Sequence, residues 1–213
     1  MFEPRARGAR ILSLGDSYTI GEAVNAADRW PVRLAVRLRE KGIAADDPLI
    51  IARTGWTTDE LDRAIDAAPL DGEFDLVTLL IGVNNQYRGR SSDDYRSQFR
   101  GLLDRAISNA GGRASRVLVV SIPDWGVTPF AADSGRDVVR IGREIDAFNA
   151  VCRDEASRAG ARFVDVTAIS RRARNEWELI AGDGLHPSGA MYEEWAREIL
   201  PVALEALDAG RTV

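Results

Sequence analysis

Apolar positions along the chain alternate between short continuous runs and helical stripes. Residues 10–14 read as a short strand that ends in Gly15-Asp16-Ser17. Over 28–41, Trp30, Leu34, Val36 and Leu38 recur along a helix, with Pro31 in the first turn, where its missing N–H costs nothing. Residues 49–52 predict a short buried strand closed by the turn Arg53-Thr54-Gly55. Thr57 or Thr58 can cap a helix running to Ala67, with Leu61, Ala64, Ile65 and Ala68 on one face. Residues 74–81 are almost continuously apolar, as in a strand covered on both faces, and Gly82-Val83-Asn84-Asn85 ends the run. A long helix is predicted over 91–110, stopped by Gly111-Gly112. A fourth strand follows over 116–122, then a loop over 123–138 that holds Trp125, Pro129 and Phe130. The stripe Ile141, Ile145, Phe148 and Cys152 predicts a helix over 140–159. Residues 162–166 form a fifth strand and 187–209 a terminal helix.

Five strands alternating with five helices predict an α/β fold: a parallel sheet with helices on both faces, in three layers. No repeat, low-complexity segment or linker divides the chain, so residues 1–213 read as one domain, with 1–9 and 210–213 as tails. The hydrophobic share of 45% is enough for one sizeable core. Chemistry in such sheets sits beyond the carboxyl ends of the strands. The segments to inspect are therefore 15–22, 54–57, 82–89, 123–138 and 181–187.

Composition narrows the chemistry. The formal net charge is −5, and the basic residues, nearly all Arg with Lys41 the only Lys, are scattered among acids. That balance excludes a nucleic-acid partner. No run approaches the roughly 20 apolar residues of a membrane span, so no integral membrane segment is expected. The basic start is followed only by Ile11, Leu12 and Leu14, too little for a signal peptide, and a cytoplasmic protein is expected. One Cys and one His cannot build the usual zinc sites, so no metal is expected. Neither Gly-x-x-x-x-Gly-Lys nor Gly-x-Gly-x-x-Gly occurs, and no cofactor is expected. Cys152 lies on an apolar stripe and reads as core.

Any mechanism that needs imidazole must use His186, in Asp183-Gly184-Leu185-His186-Pro187. Pro187 pushes His186 into an extended conformation and suits the first turn of the helix that follows. Asp183 can curl back onto the Nδ1 proton, which would fix the tautomer and leave Nε2 as a base. Ser17 ends the first strand; it is not in a Gly-x-Ser-x-Gly elbow, because position 19 is Thr. Asp16 reads as a carboxylate that bonds backbone amides of the turn rather than as a base. Gly55 and Asn84 follow two other strands. The Gly55 N–H, the Asn84 amide and the Ser17 N–H are donors of the kind that stabilise a developing oxyanion.

These segments resemble the four blocks of the SGNH (GDSL-like) hydrolases: Gly15-Asp16-Ser17-Tyr18, Gly55, Gly82-Val83-Asn84-Asn85, and Asp183-Gly184-Leu185-His186-Pro187. They come in the family's order and span residues 10 to about 200. The resemblance implies a flavodoxin-like, three-layer α/β/α fold on a five-stranded parallel sheet. It implies a nucleophile at Ser17, a base at His186 partnered by Asp183, and an oxyanion hole of Ser17, Gly55 and Asn84. The activity implied is hydrolysis of small-molecule carboxylic esters, with short to medium acyl groups expected. An acyl thioesterase or a lysophospholipase would use the same triad. A catalytically silent binding module is the alternative of another class, but such a module has no need to keep its sole His beside Asp183. Two positions depart from the family pattern: the first block continues Tyr-Thr-Ile, and Asn85 stands where many members carry Asp, which alters a contact behind Asn84. The aromatic residues Trp56, Tyr87, Trp125 and Phe130 lie at strand ends, where they can line an acyl or sugar pocket. The run Asn85-Gln86-Tyr87-Arg88 can hydrogen-bond a polar substrate. The sequence leaves the oligomeric state open.

Overall fold

The computed structural model describes residues 8–208. Five strands, β1 (Ile11–Gly15), β2 (Leu49–Ala52), β3 (Leu76–Leu80), β4 (Val117–Val120) and β5 (Arg162–Val164), form one sheet in the order β2-β1-β3-β4-β5. Every neighbouring pair is parallel. This is the expected flavodoxin-like order, in which the direction of winding reverses between β1 and β3. The α-helices among the described residues are α1 (Ser17–Ile20), α2 (Trp30–Glu40), α3 (Thr58–Ala67), α4 (Val83–Tyr87), α5 (Ser92–Asn109), α6 (Pro129–Asp133), α7 (Val138–Ala159), α8 (Thr167–Arg171) and α9 (Gly189–Asp208).

Right-handed crossovers decide the layers. The chain first winds outward from β1 to β2, then back past β1 to β3, β4 and β5. The crossover α2 therefore lies on one face, joined by α9, which packs on β3, β4 and β5. The crossovers α3, α5 and α7 lie on the other. Each long helix has a local reason to start where it does. Pro31 opens α2. Thr57 and Glu60 form a capping box on α3. The Ser91 hydroxyl accepts the Asp94 N–H at 3.1 Å and opens α5, and the Asp137 carboxylate accepts the Val139 and Arg140 N–H groups at 2.9 and 3.1 Å and opens α7.

β1, β3 and β4 are wholly buried. The two hydroxyls inside this core satisfy each other, since Thr78 donates to Ser13 at 3.0 Å across the β1–β3 register. The expectation of a buried strand over 49–52 fails at β2. It is an edge strand, so Leu49 is exposed and the rest is half-buried. The segment expected as a loop over 123–138 is partly helical. A 3-10 turn covers Trp125–Val127, and α6 starts where the Thr128 hydroxyl accepts the Ala131 N–H and Pro129 fills the first turn. The short helices α1, α4 and α8 carry too few residues for a periodic stripe. Of the expected tails, residues 1–7 and 210–213 lie outside the described residues. Ala9 is no tail: it pairs with Ala45 beside the sheet.

One backbone position controls the exit from β3. Gly82 has φ +131°, and a Cβ there would lie 2.7 Å from the Tyr95 ring and hydroxyl. Tyr95 cannot retreat, because its hydroxyl donates to the Ile81 carbonyl at 2.8 Å and its ring stacks on Phe148 at 4.5 Å. The Gly82→Ala variant is expected to lose about 1–3 kcal/mol of stability or more. Urea unfolding checks this as a lowered midpoint at unchanged slope.

Candidate active site

The topological switch point lies between the carboxyl ends of β1 and β3, and a cavity of about 250 Å3 opens there, lined also by the turn after β2. Its polar side holds Ser17, Gly55, Asn84 and His186. Val83, Tyr87, Trp125, Phe130 and Leu185 supply its apolar lining, and Tyr18 and Thr54 complete it. Residues from five separate segments are thus brought to one surface.

Ser17 opens α1. Asp16 caps that turn, accepting the Tyr18 N–H at 3.1 Å. The Trp30 indole donates to the Tyr18 carbonyl at 3.1 Å and ties α1 to the buried face of α2. The Ser17 side chain is only 5% exposed and faces the cavity. Neither the Ser17 N–H nor the Gly55 N–H has a backbone partner among the described residues. Gly55 has φ +86° with open space around a would-be Cβ, so its turn conformation, and not crowding, demands glycine. Asn84 donates one amide hydrogen to the Trp56 carbonyl at 2.9 Å. Its second amide hydrogen is left for the cavity.

Asp183 and His186 form a self-contained corner. One carboxylate oxygen accepts the backbone N–H groups of Leu185 and His186, each at 3.0 Å. The other lies 2.6 Å from His186 Nδ1. A carboxylate accepts only, so Nδ1 carries the proton and Nε2 presents a lone pair. Gly184 takes φ +73° to close the corner, and its carbonyl accepts the Phe130 N–H at 3.0 Å. His186 is buried, and its imidazole meets the Tyr18 ring edge-on at 5.7 Å. Burial pushes the Asp183 carboxyl up. The hydrogen bonds from the His186 ring and the two N–H groups outweigh it and hold the carboxyl below the usual range. No hydrogen bond joins the Ser17 hydroxyl to the imidazole among the described residues; such contacts commonly tighten only around substrate.

Of the four aromatic candidates, Tyr87, Trp125 and Phe130 line the cavity. Trp56 does not; its ring packs on the core, and only its carbonyl serves the site, as the acceptor of Asn84. The run 85–88 is not a polar substrate surface. The Asn85 amide oxygen accepts the Thr58 N–H at 3.1 Å and its nitrogen donates to the Thr58 hydroxyl at 2.7 Å, so it holds α3 to α4. Gln86 is buried and turned away from the cavity. Arg88 donates to the Gly55 carbonyl at 2.7 Å and pairs with Glu60 at 3.4 Å. Val83 and Leu185 were missed as lining residues, although adjacency to Asn84 and His186 was the available signal.

With the geometry in hand, relatives can be compared. Several solved structures share its three-layer fold. TesA aligns with a TM-score of 0.71 at 19% identity, covering 93% of this chain and 99% of its own. The acetylxylan esterase Axe2 from Geobacillus stearothermophilus aligns at 0.70 and 18%, covering 92% and 94%. The psychrotrophic esterase EstA from Pseudoalteromonas aligns at 0.67 and 16%, covering 96% and 100%. The chain matches none of the curated proteins it was compared with. The fold is thus a three-layer α/β/α one, with a serine on the wall of the cavity at the switch point. Residues 13–194 match the GDSL-like Lipase/Acylhydrolase family, and the chain belongs to it. It is an enzyme that hydrolyses ester bonds.

Asp16 adds a charge problem beside Ser17. Its carboxyl is wholly buried, and Oδ2 has no hydrogen-bond partner. Burial raises it to about 7, against the lowering effect of the surrounding backbone N–H groups. A raised carboxyl holds its proton in the folded state after the unfolded chain has released one, so stability falls as pH rises between these values. The stability of wild type relative to Asp16→Asn should therefore decline from about pH 4 to pH 7 and level off above, where the folded carboxyl is also ionised. Paired urea titrations at pH 5 and pH 8 check the sign.

Proposed function

We propose that the enzyme is a serine esterase acting on small carboxylic esters with short to medium apolar arms, through a Ser17-His186-Asp183 triad. The observation that carries this reading is the His186 imidazole, locked by Asp183 at 2.6 Å with Nε2 free, on the same cavity wall as Ser17. Ser17 Oγ attacks the acyl carbonyl as its proton passes to Nε2. The carbonyl oxygen gains negative charge and is met by the Ser17 N–H, the Gly55 N–H and the second amide hydrogen of Asn84. Collapse of the tetrahedral adduct expels the alcohol, which takes the proton from His186. Water, deprotonated by the same imidazole, then releases the acid and restores Ser17. Asp183 stays ionised throughout and stabilises the imidazolium that forms in each half-reaction. The cavity of about 250 Å3 and its aromatic wall support a compact apolar arm. A thioester places its carbonyl in the same hole, so a matched thioester is the comparison substrate.

Hydrolysis of p-nitrophenyl esters from acetyl to palmitoyl, by wild type and Ser17→Ala side by side, tests the nucleophile. Activity should fall at least about 10⁴-fold in the variant, and a fluorophosphonate should label wild type at Ser17 only. The structure of EstA is described as inhibited by monoethylphosphonate, which makes a phosphonate a fitting probe. Retained activity in Ser17→Ala would overturn the triad. For the oxyanion hole, Asn84→Ala should lower kcat by about 10²- to 10³-fold with KM little changed. An unchanged kcat removes Asn84 from that role.

A further inference from the structure

Gln86 is 4% exposed, lies on α4 two residues beyond Asn84, and does not line the cavity. Both ends of its amide are nevertheless engaged. Oε1 accepts the Trp125 indole N–H at 2.9 Å, and Nε2 donates to the Glu144 carboxylate on α7 at 2.7 Å. The orientation of this amide is forced. Indole is a donor only and an ionised carboxylate an acceptor only, so a flipped amide would meet two like partners. Glu144 is itself fixed, accepting from Arg140 at 2.7 Å, and the Gln86 hydrogen bond is the largest influence holding its carboxyl below the ordinary range. The chain Arg140–Glu144–Gln86–Trp125 therefore runs from the protein surface to the wall of the cavity.

Trp125 is the residue this chain controls. Its ring is 2% exposed yet forms part of the cavity wall, between Tyr87 at 5.5 Å and Phe130 at 6.1 Å. Its backbone is held separately, since the Thr128 hydroxyl donates to the Trp125 carbonyl at 2.7 Å. With the backbone anchored, the indole has side-chain torsions left to settle; among the described residues the Gln86 carbonyl is its hydrogen-bond acceptor, and the Arg136 guanidinium lies 5.8 Å from the ring centroid. We propose that Gln86 is a positioning residue that locks Trp125 as the end wall of the cavity, so that a buried amide outside the cavity sets the length of the apolar arm the enzyme accepts. This inference rests on the esterase reading above for its readout. No part of it requires Gln86 to touch substrate.

Two ester series read it. One varies the acyl chain on p-nitrophenol, and the other varies the alcohol on acetate, because either half of the ester can carry the apolar arm. In Gln86→Leu the indole loses its acceptor and the wall loosens. The kcat/KM ratio of the octyl over the shortest member should rise about tenfold in one of the two series, the size of effect that a methylene has in an apolar pocket. kcat on the shortest ester should stay within about twofold of wild type, since Asn84 and the triad are untouched. Glu144→Ala, at a half-exposed position of α7 outside the core, should shift the ratio in the same direction, and Glu144→Gln, which keeps an acceptor for Nε2, should restore the wild-type profile. Trp125→Phe should reproduce the Gln86→Leu profile, and the double variant should add nothing to either. Unchanged ratios in both series for Gln86→Leu and Glu144→Ala would overturn the inference. So would a parallel fall in kcat for all chain lengths. Either result with Ser17-dependent activity intact sinks this inference alone, whereas activity that survives Ser17→Ala sinks the esterase reading and this inference with it.

Discussion

The site depends on a five-residue helix held across the ends of three strands. α4 can start where it does because Gly82 turns through φ +131° under the Tyr95 ring, where no side chain fits. Each residue that follows serves a different neighbour. Asn84 reaches the Trp56 carbonyl, Asn85 the cap region of α3, Gln86 the Trp125 indole, and Arg88 at the helix end the Gly55 carbonyl. Two of these partners, Trp56 and Gly55, belong to one turn after β2. α4 thus sets the position of two of the three candidate oxyanion donors at once: it carries Asn84, and it clamps the loop that carries Gly55. Hydrogen bonds in water-excluded surroundings are worth more in loss than in gain, because a broken one strands a buried partner. A helix with most of its polar side chains spoken for is therefore rigid without being long.

The two halves of the proposed triad are built on different principles. Asp183 and His186 are three residues apart, and their geometry is local. One carboxylate satisfies two backbone N–H groups and the ring in a single turn closed by Gly184. Ser17 is positioned non-locally, by the exit of β1 from the sheet centre and by Trp30 on α2 gripping the Tyr18 carbonyl. The contact between the halves runs through Tyr18, whose ring meets His186 on one side and Trp195 of α9 at 6.4 Å on the other. The Tyr-Thr-Ile continuation of the first block is thus more than a neutral variant in this chain. It places an aromatic buttress directly behind the base.

What could be read in the sequence follows from this division. The strands and the five long helices were legible because burial writes an apolar run or a periodic stripe into the chain, and their alternation gave a parallel three-layer sheet; the flavodoxin-like arrangement came only from the resemblance of the four blocks to a known family. The Asp183–His186 corner was legible because Pro187 and a three-residue spacing constrain it locally. The short helices α1, α4, α6 and α8 were not, since four or five residues carry no period. Nor was the edge character of β2, because exposure there is decided by which strand lies outermost, a property of the whole sheet. Trp56 and Trp125 make the limit concrete. Both follow strand ends, and both are aromatic; one points its ring into the core and the other into the cavity. Only the partner of each, the Asn84 amide for the Trp56 carbonyl and the Gln86 amide for the Trp125 indole, separates them, and both partners come from a helix that the sequence pattern does not announce.

This separation has a consequence for how such a site changes. The proposed chemical groups are bound into short-range units in which a single substitution strands several polar atoms, so they tolerate little. The cavity wall is fixed through a chain of four side chains on three segments, with Arg140 and Glu144 at its half-exposed outer end. Substitutions there leave the core filled and the triad untouched, and they reach the wall through one amide. A family that keeps one chemistry while its members differ in the esters they accept needs this kind of lever: a position that moves the end of the pocket without entering it. In this chain the lever is at Gln86, whose amide oxygen accepts the indole N–H while its nitrogen donates to the carboxylate.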